Sequence, residues 1–355
     1  DLAACAVLHD NALTEYLRRD CNRERFTRAD PEELALHCRI GEKNIQPLRF
    51  YGDVSGAILY HHENADGSGP FGKTTAETPL MAQLIHLADI VDVACNLGVY
   101  QVGKAQEIQA FLEANQAKLF APELVSLFLE NFPPESLRRM QGDRIDTLVR
   151  AALPERLRDY SKEAMEHIAA MFATIIDYKS EVTGTHSLGI AQKALTMAEY
   201  YGYDDATAQK LYLAGAVHDV GKLMVSRDIL EKPEKLNAVE YQSIQAHAWY
   251  SYSILKQIRG FEDITTWAAF HHEKLNGTGY PFGKTAAELG QKERLMACLD
   301  VYQALTEKRS YKDNMSHREA MAILQDMAQS GELDSQIVED IDRVFGTQNA
   351  EQTRE

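Results

Sequence analysis

Two adjacent imidazoles and a carboxylate precede a Gly/Pro-rich turn in the stretch His271-His272-Glu273-Lys274-Leu275-Asn276-Gly277-Thr278-Gly279-Tyr280-Pro281. Imidazole nitrogens donate lone pairs to transition metals, and a carboxylate can bridge two of them. A near-copy lies earlier, His61-His62-Glu63-Asn64-Ala65-Asp66-Gly67-Ser68-Gly69-Pro70, with the tyrosine deleted. One pattern kept in one place and damaged in another points to a working metal site and a retired one.

The repetition runs beyond this stretch. His9-Asp10 matches His218-Asp219 at an offset of 209, and His37 matches His247 at 210. His61-His62 matches His271-His272 at 210, and Asp89 matches Asp300 at 211. The last step is the deleted tyrosine, because Pro70-Phe71-Gly72-Lys73 realigns with Pro281-Phe282-Gly283-Lys284. With His186, the second copy offers five histidines and two aspartates. Neighbouring residues on a helix point about 100° apart. A His-Asp or His-His pair therefore suits two metals side by side better than one chelated ion. Metals about 3.5–4 Å apart can share a hydroxide and clamp a phosphate for in-line attack. His86, His167 and His317 belong to no repeat, and a lone histidine on an apolar helix is more often structural than a ligand.

The elements that position these residues read as helices. Leu211, Ala214, Gly215 and Val217 form a small apolar face before His218, and Trp267, Ala268 and Phe270 do the same before His271. Asp204-Asp205 and Asn237 mark helix starts, and Gly260 marks a stop. Strand-like alternation is scarce. The expected fold is all-α, with two tandem helical bundle domains: a first copy over 1–132, a connector over 133–160 and a second copy over 161–355.

Composition narrows the function. Hydrophobic residues make up 45% of the 355 residues, enough for full cores. No apolar run approaches the roughly 20 residues that span a bilayer. Asp1 opens an apolar stretch without a basic leader, so no signal peptide is expected, and the start reads as arbitrary. Cys5, Cys21, Cys38, Cys95 and Cys298 are scattered, which fits reduced thiols in the cytoplasm. A net charge of −16 disfavours long nucleic acids and leaves a small anionic ligand open.

His218-Asp219-Val220-Gly221-Lys222, His271-His272-Glu273, Gly277-Thr278-Gly279-Tyr280-Pro281 and Asp300-Val301-Tyr302-Gln303-Ala304-Leu305-Thr306 together resemble the HD-GYP family, the phosphodiesterase branch of the HD superfamily. The resemblance covers about 161–345, with a degenerate version over 1–132. It implies an all-helical fold and a centre of two divalent metals, iron or manganese, with a third left open. It also implies hydrolysis of a cyclic dinucleotide, cyclic di-GMP or 3′3′-cyclic GMP-AMP (cGAMP), to a linear dinucleotide by a hydroxide bridging the metals.

Carried over by residue, the resemblance makes His186, His218, Asp219, His247, His271, His272 and Asp300 the metal ligands, with Asp219 as the bridge. Lys222 would reach the phosphate or the attacking water. Arg309 and Lys312 match phosphate-holding positions, and Arg294 is a further phosphate candidate. Tyr280 either borders a base or simply packs its loop. Asn276 and Gln303 depart from the aspartates usual there. The extra carboxylate for a third metal would be Glu181, but five residues before His186 places it about 140° off that face of a regular helix.

The first copy keeps His9, Asp10, His37, His61, His62 and Asp89 but has Asn11-Ala12-Leu13 where the second has Val220-Gly221-Lys222. Gly98 and Gln101 stand at the positions of Arg309 and Lys312, and a match to His186 would fall before residue 1. It therefore reads as non-catalytic, suited to holding a metal, sensing a ligand, forming a dimer surface or docking a signalling partner. The competing reading is a second active site completed by upstream residues. For the whole chain, the alternatives are a catalytically silent cyclic-dinucleotide-binding scaffold or a hydrolase of other nucleotides.

Overall fold

The computed structural model describes residues 1–12, 31–96, 103–133, 136, 145–153, 160–179, 186–307 and 315–352. The chain divides into two compact units, Asp1–Asp159 and Tyr160–Glu355. The described residues are mostly helical, and their β pairing is confined to isolated bridges such as Asp66–Thr74 and Asn276–Thr285.

The N-terminal unit contains α1 (Leu2–Leu8), α2 (Pro31–Ile45), α3 (Leu80–Cys95), α4 (Lys104–Asn115), α5 (Pro122–Asn131) and α6 (Ile145–Ala152). Val91, Ile108, Leu112 and Phe120 form its main apolar cluster. The C-terminal unit contains α7 (Lys162–Asp177), α8 (His186–Tyr200), α9 (Asp205–Val217), a 3-10 turn (Val220–Met224), α10 (Arg227–Leu230), α11 (Ala238–Leu255), α12 (Glu262–Ala269), α13 (Gln291–Thr306), α14 (His317–Gln329) and α15 (Ser335–Gln352). Its core joins Ile190, Met197, Leu211, Leu295, Met296, Leu299, Leu324 and Ile341. Burying each such side chain is worth roughly 1.5–3 kcal/mol.

Side-chain caps set where several helices begin. Asp204 accepts from the Thr207 amide at the start of α9. Asn237 with Glu240, and Ser316 with Glu319, close reciprocal capping boxes on α11 and α14. No helix among the described residues is long and apolar enough to cross a membrane.

Small residues bring the helices close around the polar centre. A Cβ on Gly215 of α9 would lie 2.7 Å from Ala191 Cα on α8. A Cβ on Gly221 would lie 1.9 Å from His247 O and 2.6 Å from Ser251 N on α11. The Gly221 amide donates to Ser251 Oγ at 2.9 Å, and that hydroxyl donates to His218 O at 2.7 Å. Ser251 thus ties α11 to both ends of the His218–Gly221 segment. The N-terminal unit makes the reverse choice: Ala12 stands in the register of Gly221 and Gly41 in that of Ser251. Asn11 fills the junction there, donating to Leu8 O at 2.8 Å and Gly41 O at 3.1 Å.

Gly221→Ala is expected to lower the unfolding free energy by about 1–3 kcal/mol, the usual cost of overpacking. Urea denaturation measures it, and an unchanged midpoint would contradict the close approach.

Candidate metal centre

Each residue of the polar centre sits where a helix starts, ends or faces inward. His186 opens α8, and His218 and Asp219 follow α9. His247 lies within α11, His271-His272 just beyond α12, and Asp300 within α13. Backbone carbonyls then aim three of the imidazoles. His218 Nδ1 pairs with Gly215 O at 2.8 Å, His247 Nδ1 with Ile244 O at 2.5 Å, and His271 Nδ1 with Ala268 O at 2.6 Å. A carbonyl only accepts, so each Nδ1 carries the proton and each Nε2 offers its lone pair.

The seven residues form two overlapping groups. His186, His218 and Asp300 bring ligand atoms together on one side, and His247, His271 and His272 on the other. Asp219 faces both groups: Oδ2 lies 3.1 Å from His218 Nε2, while Oδ1 lies 3.2 Å from His247 Nε2 and 3.9 Å from His271 Nε2. Asp300 Oδ1 lies 3.5 Å from His186 Nε2, and its Oδ2 lies 3.6 Å from His272 Nδ1.

His218 Nε2 and Asp219 Oδ1 are buried and make no hydrogen bond. Such buried polar atoms cost about 1–3 kcal/mol each unless something else engages them. Two nitrogen-rich groups sharing a carboxylate are the donor set that divalent transition metals take, so the residues fit the metals that the sequence implies.

Electrostatics agree with that role. Burial, reinforced by neighbouring imidazoles, pushes the His271 pKa well down. Burial also lowers His272 to about 4, against the opposing pull of Asp300. Both are therefore neutral, as ligands must be. Burial alone would raise the Asp219 pKa, but His218 and Lys222 beside it hold it well below the usual carboxylate range. Lys222 Nζ pairs with Asp219 Oδ2 at 2.5 Å, which keeps the lysine protonated despite its burial.

His186 differs from the other histidines. Burial opposes its charge, but Asp300 and Glu307 override burial and lift its pKa to about 9. Glu307 accepts from His186 Nδ1 at 2.8 Å and so directs Nε2 inward. The motifs missed Glu307, although it follows Asp300 by seven residues, two turns along the same helical face.

Tyr280 borders the centre, its ring 4.7 Å from that of His272 and 6.3 Å from that of His247. Arg294 does not join it. Its Nε donates to Leu289 O, and its two terminal nitrogens go to Ala286 O and Asp334 Oδ2. The phosphate role expected for Arg294 is corrected to a clamp, because its donors are already engaged away from the metal ligands. Arg309, Lys312, Glu181, Leu13, Gly98 and Gln101 lie outside the described residues.

Glu273 is buried and turned towards the loop, accepting from the Phe282 amide at 2.7 Å and the Lys284 amide at 2.8 Å. Glu63 holds the amides of Phe71 and Lys73 in the same way. Gly277 and Gly67 both adopt left-handed φ, at 77° and 82°.

The HD domain family matches residues 170–337. The 3′3′-cGAMP-specific phosphodiesterase 1 of Vibrio cholerae is 32% identical over 352 residues, covering 96% of this chain and 80% of the relative. The chain belongs to the HD-GYP family. A second HD-GYP relative, 3′3′-cGAMP-specific phosphodiesterase 3 of V. cholerae, is 31% identical over 83% of this chain and 64% of its own length. A cyclic di-GMP phosphodiesterase of Pseudomonas aeruginosa is 30% identical over 51% of the chain and 43% of its own length. The crystal structure of a cyclic GMP-AMP-specific phosphodiesterase of V. cholerae shares the fold, with a TM-score of 0.65 and 23% identity over 97% of this chain and 86% of that one.

Two expectations follow. A metal entering the centre must displace the His186 proton, so uptake should strengthen as pH rises towards 9. Glu307→Gln removes one of the carboxylates that hold this proton, and the midpoint of uptake should move to lower pH. A metal titration across pH checks this, and an unmoved midpoint would refute the pairing. Glu273→Ala should cost about 1.5–3 kcal/mol through lost charge-assisted hydrogen bonds. It should also lower turnover more than metal content, as read by elemental analysis beside an activity assay.

Proposed function

We propose that this chain is a metal-dependent phosphodiesterase that opens a cyclic dinucleotide to its linear form. The observation that carries the reading is Asp219, a buried carboxylate presenting one oxygen to each of two imidazole groups. Bound divalent metals, iron or manganese, would lower the pKa of water and neutralise charge growing on the phosphoryl oxygens. His186, His218 and Asp300 would hold one metal, His247, His271 and His272 the other, with Asp219 between them.

The chain's own groups do the rest. Lys222, held charged by Asp219, supplies positive charge beside the reacting phosphate. The neutral histidines keep their lone pairs directed at the centre. Tyr280, whose phenol burial keeps protonated, bounds one side of the site and offers a face to a base. Arg309 and Lys312 are proposed to neutralise substrate phosphates.

Two relatives that match more than four-fifths of this chain are named for 3′3′-cGAMP, which makes it the first substrate to assay. Cyclic di-GMP is the second, from the relative that matches about half the chain. We assign the N-terminal unit as a degenerate HD-GYP copy, supported by the Glu63 and Glu273 loop clamps and by the retained His and Asp positions. Scattered, buried free cysteines support a cytoplasmic location.

Asp219→Ala and His271→Ala should each reduce formation of linear dinucleotide at least about 100-fold, the scale of losing a metal or its orientation. Chromatography of 3′3′-cGAMP and cyclic di-GMP reactions with added iron or manganese reads the result. Wild-type turnover in either variant would sink the assignment.

A further inference from the structure

Glu307 directs His186, yet it stands at the end of α13, where the helix gives its backbone least support. Its backbone has already left the helix, at φ −76° and ψ 135°, and its amide rests on Gln303 O at 2.9 Å. Whatever fixes Gln303 therefore helps to fix the residue that aims His186 Nε2.

Gln303 is buried, and its side chain fills a notch in α8. A Cβ on Gly189 would lie 2.3 Å from Gln303 Nε2 and 2.7 Å from Gln303 Cδ. Gln303 Oε1 accepts from Lys193 Nζ at 2.6 Å. Residues 186, 189 and 193 share one face of α8, and residues 300, 303 and 307 share one face of α13. The two rows interdigitate. His186 meets Asp300 and Glu307, Gly189 receives the Gln303 amide, and Lys193 closes over that amide. Lys193 also lies over the Tyr302 ring, 5.9 Å from its centroid. Burial disfavours the lysine charge, and the nearby Glu307 carboxylate opposes that effect. The oxygen that Lys193 meets belongs to a neutral amide, so the ammonium charge is not cancelled there and acts on Glu307 as well. An aspartate at 303 would cancel it and would reach one methylene less far.

We propose that Gly189, Lys193 and Gln303 form a positioning interlock for the metal held by His186, His218 and Asp300. The interlock fixes the end of α13 so that Glu307 stays bonded to His186 Nδ1. Its members act through Glu307 and are not themselves metal ligands. The inference rests on the reading of this centre as a metal site and is independent of which nucleotide the chain hydrolyses.

Manganese titration of the whole chain, in competition with a chelator, tests it. His186→Ala identifies the site at issue by the binding class it removes, and His247→Ala identifies the other. Gly189→Ala sets a methyl against the Gln303 amide while giving α8 a better helix former. It should weaken the class sensitive to His186 by about 10-fold, the lower end of the range for outer partners of a metal ligand. The class sensitive to His247 should change less. In a Gln303→Ala background the added methyl meets no amide, so Gly189→Ala should cause no further weakening there. Lys193→Met keeps the apolar stem and removes the charge, and should weaken the same class even where Gly189→Ala fails to fold, which far-ultraviolet circular dichroism reads. Unchanged affinity in either folded variant, equal weakening of both classes, or the same Gly189→Ala effect with and without Gln303 overturns the interlock. A chain with no manganese class sensitive to His186→Ala overturns the metal centre itself, and the interlock with it.

Discussion

The C-terminal unit is organised around one buried negative charge. Taking a carboxylate out of water costs several kcal/mol unless cations or strong donors surround it. Asp219 has Lys222 at one oxygen, and metals bound between its oxygens and the facing imidazole lone pairs would supply the remaining positive charge. Its placement requires the end of α9 to lie against α11, which is possible because Gly221 has no side chain and Ser251 ties the two backbones. The apolar core beneath, from Leu211 to Leu299, holds these helices in register. Packing and charge pairing are therefore one problem here, because moving α11 outward would strand the Asp219 carboxylate.

Much of this was legible in the sequence because ligand chemistry is confined to a few residue types. Histidines and aspartates recurring at offsets of 209 to 211 picked out six residues that lie together in the C-terminal unit, while His186 beside them has no counterpart in the first copy. Helix starts at Asp204 and Asn237 were legible because capping is a local interaction. What stayed hidden depends on contacts distant in sequence. The Glu307–His186 pair spans 121 residues, and the Arg294–Asp334 pair spans 40. No spacing rule distinguishes an arginine free to meet a phosphate from one already bound to carbonyls and a carboxylate.

The Glu273 carboxylate shows why motif conservation within a chain is a poor guide to chemistry. It stands beside two imidazoles, yet both its oxygens are taken by loop amides. Glu63 is used identically although its loop has lost the tyrosine. The shared carboxylate therefore keeps a loop shape, and Tyr280 is what that shape delivers to the C-terminal centre.

The two units also show how one helical frame is retuned. Exchanging Gly221 and Ser251 for Ala12 and Gly41 moves the small residue from one side of the contact to the other, so the helices still approach. The same exchange removes the serine hydroxyl that ties His218 and Gly221 to α11, and Asn11 side-chain bonds take over. Imidazoles near the junction stay in place, since their orientation rests on local carbonyls: His9 on Ala6 O and His61 on Ile58 O. A frame whose ligand orientation is set locally tolerates loss of the cationic and loop groups without losing its ligand cluster.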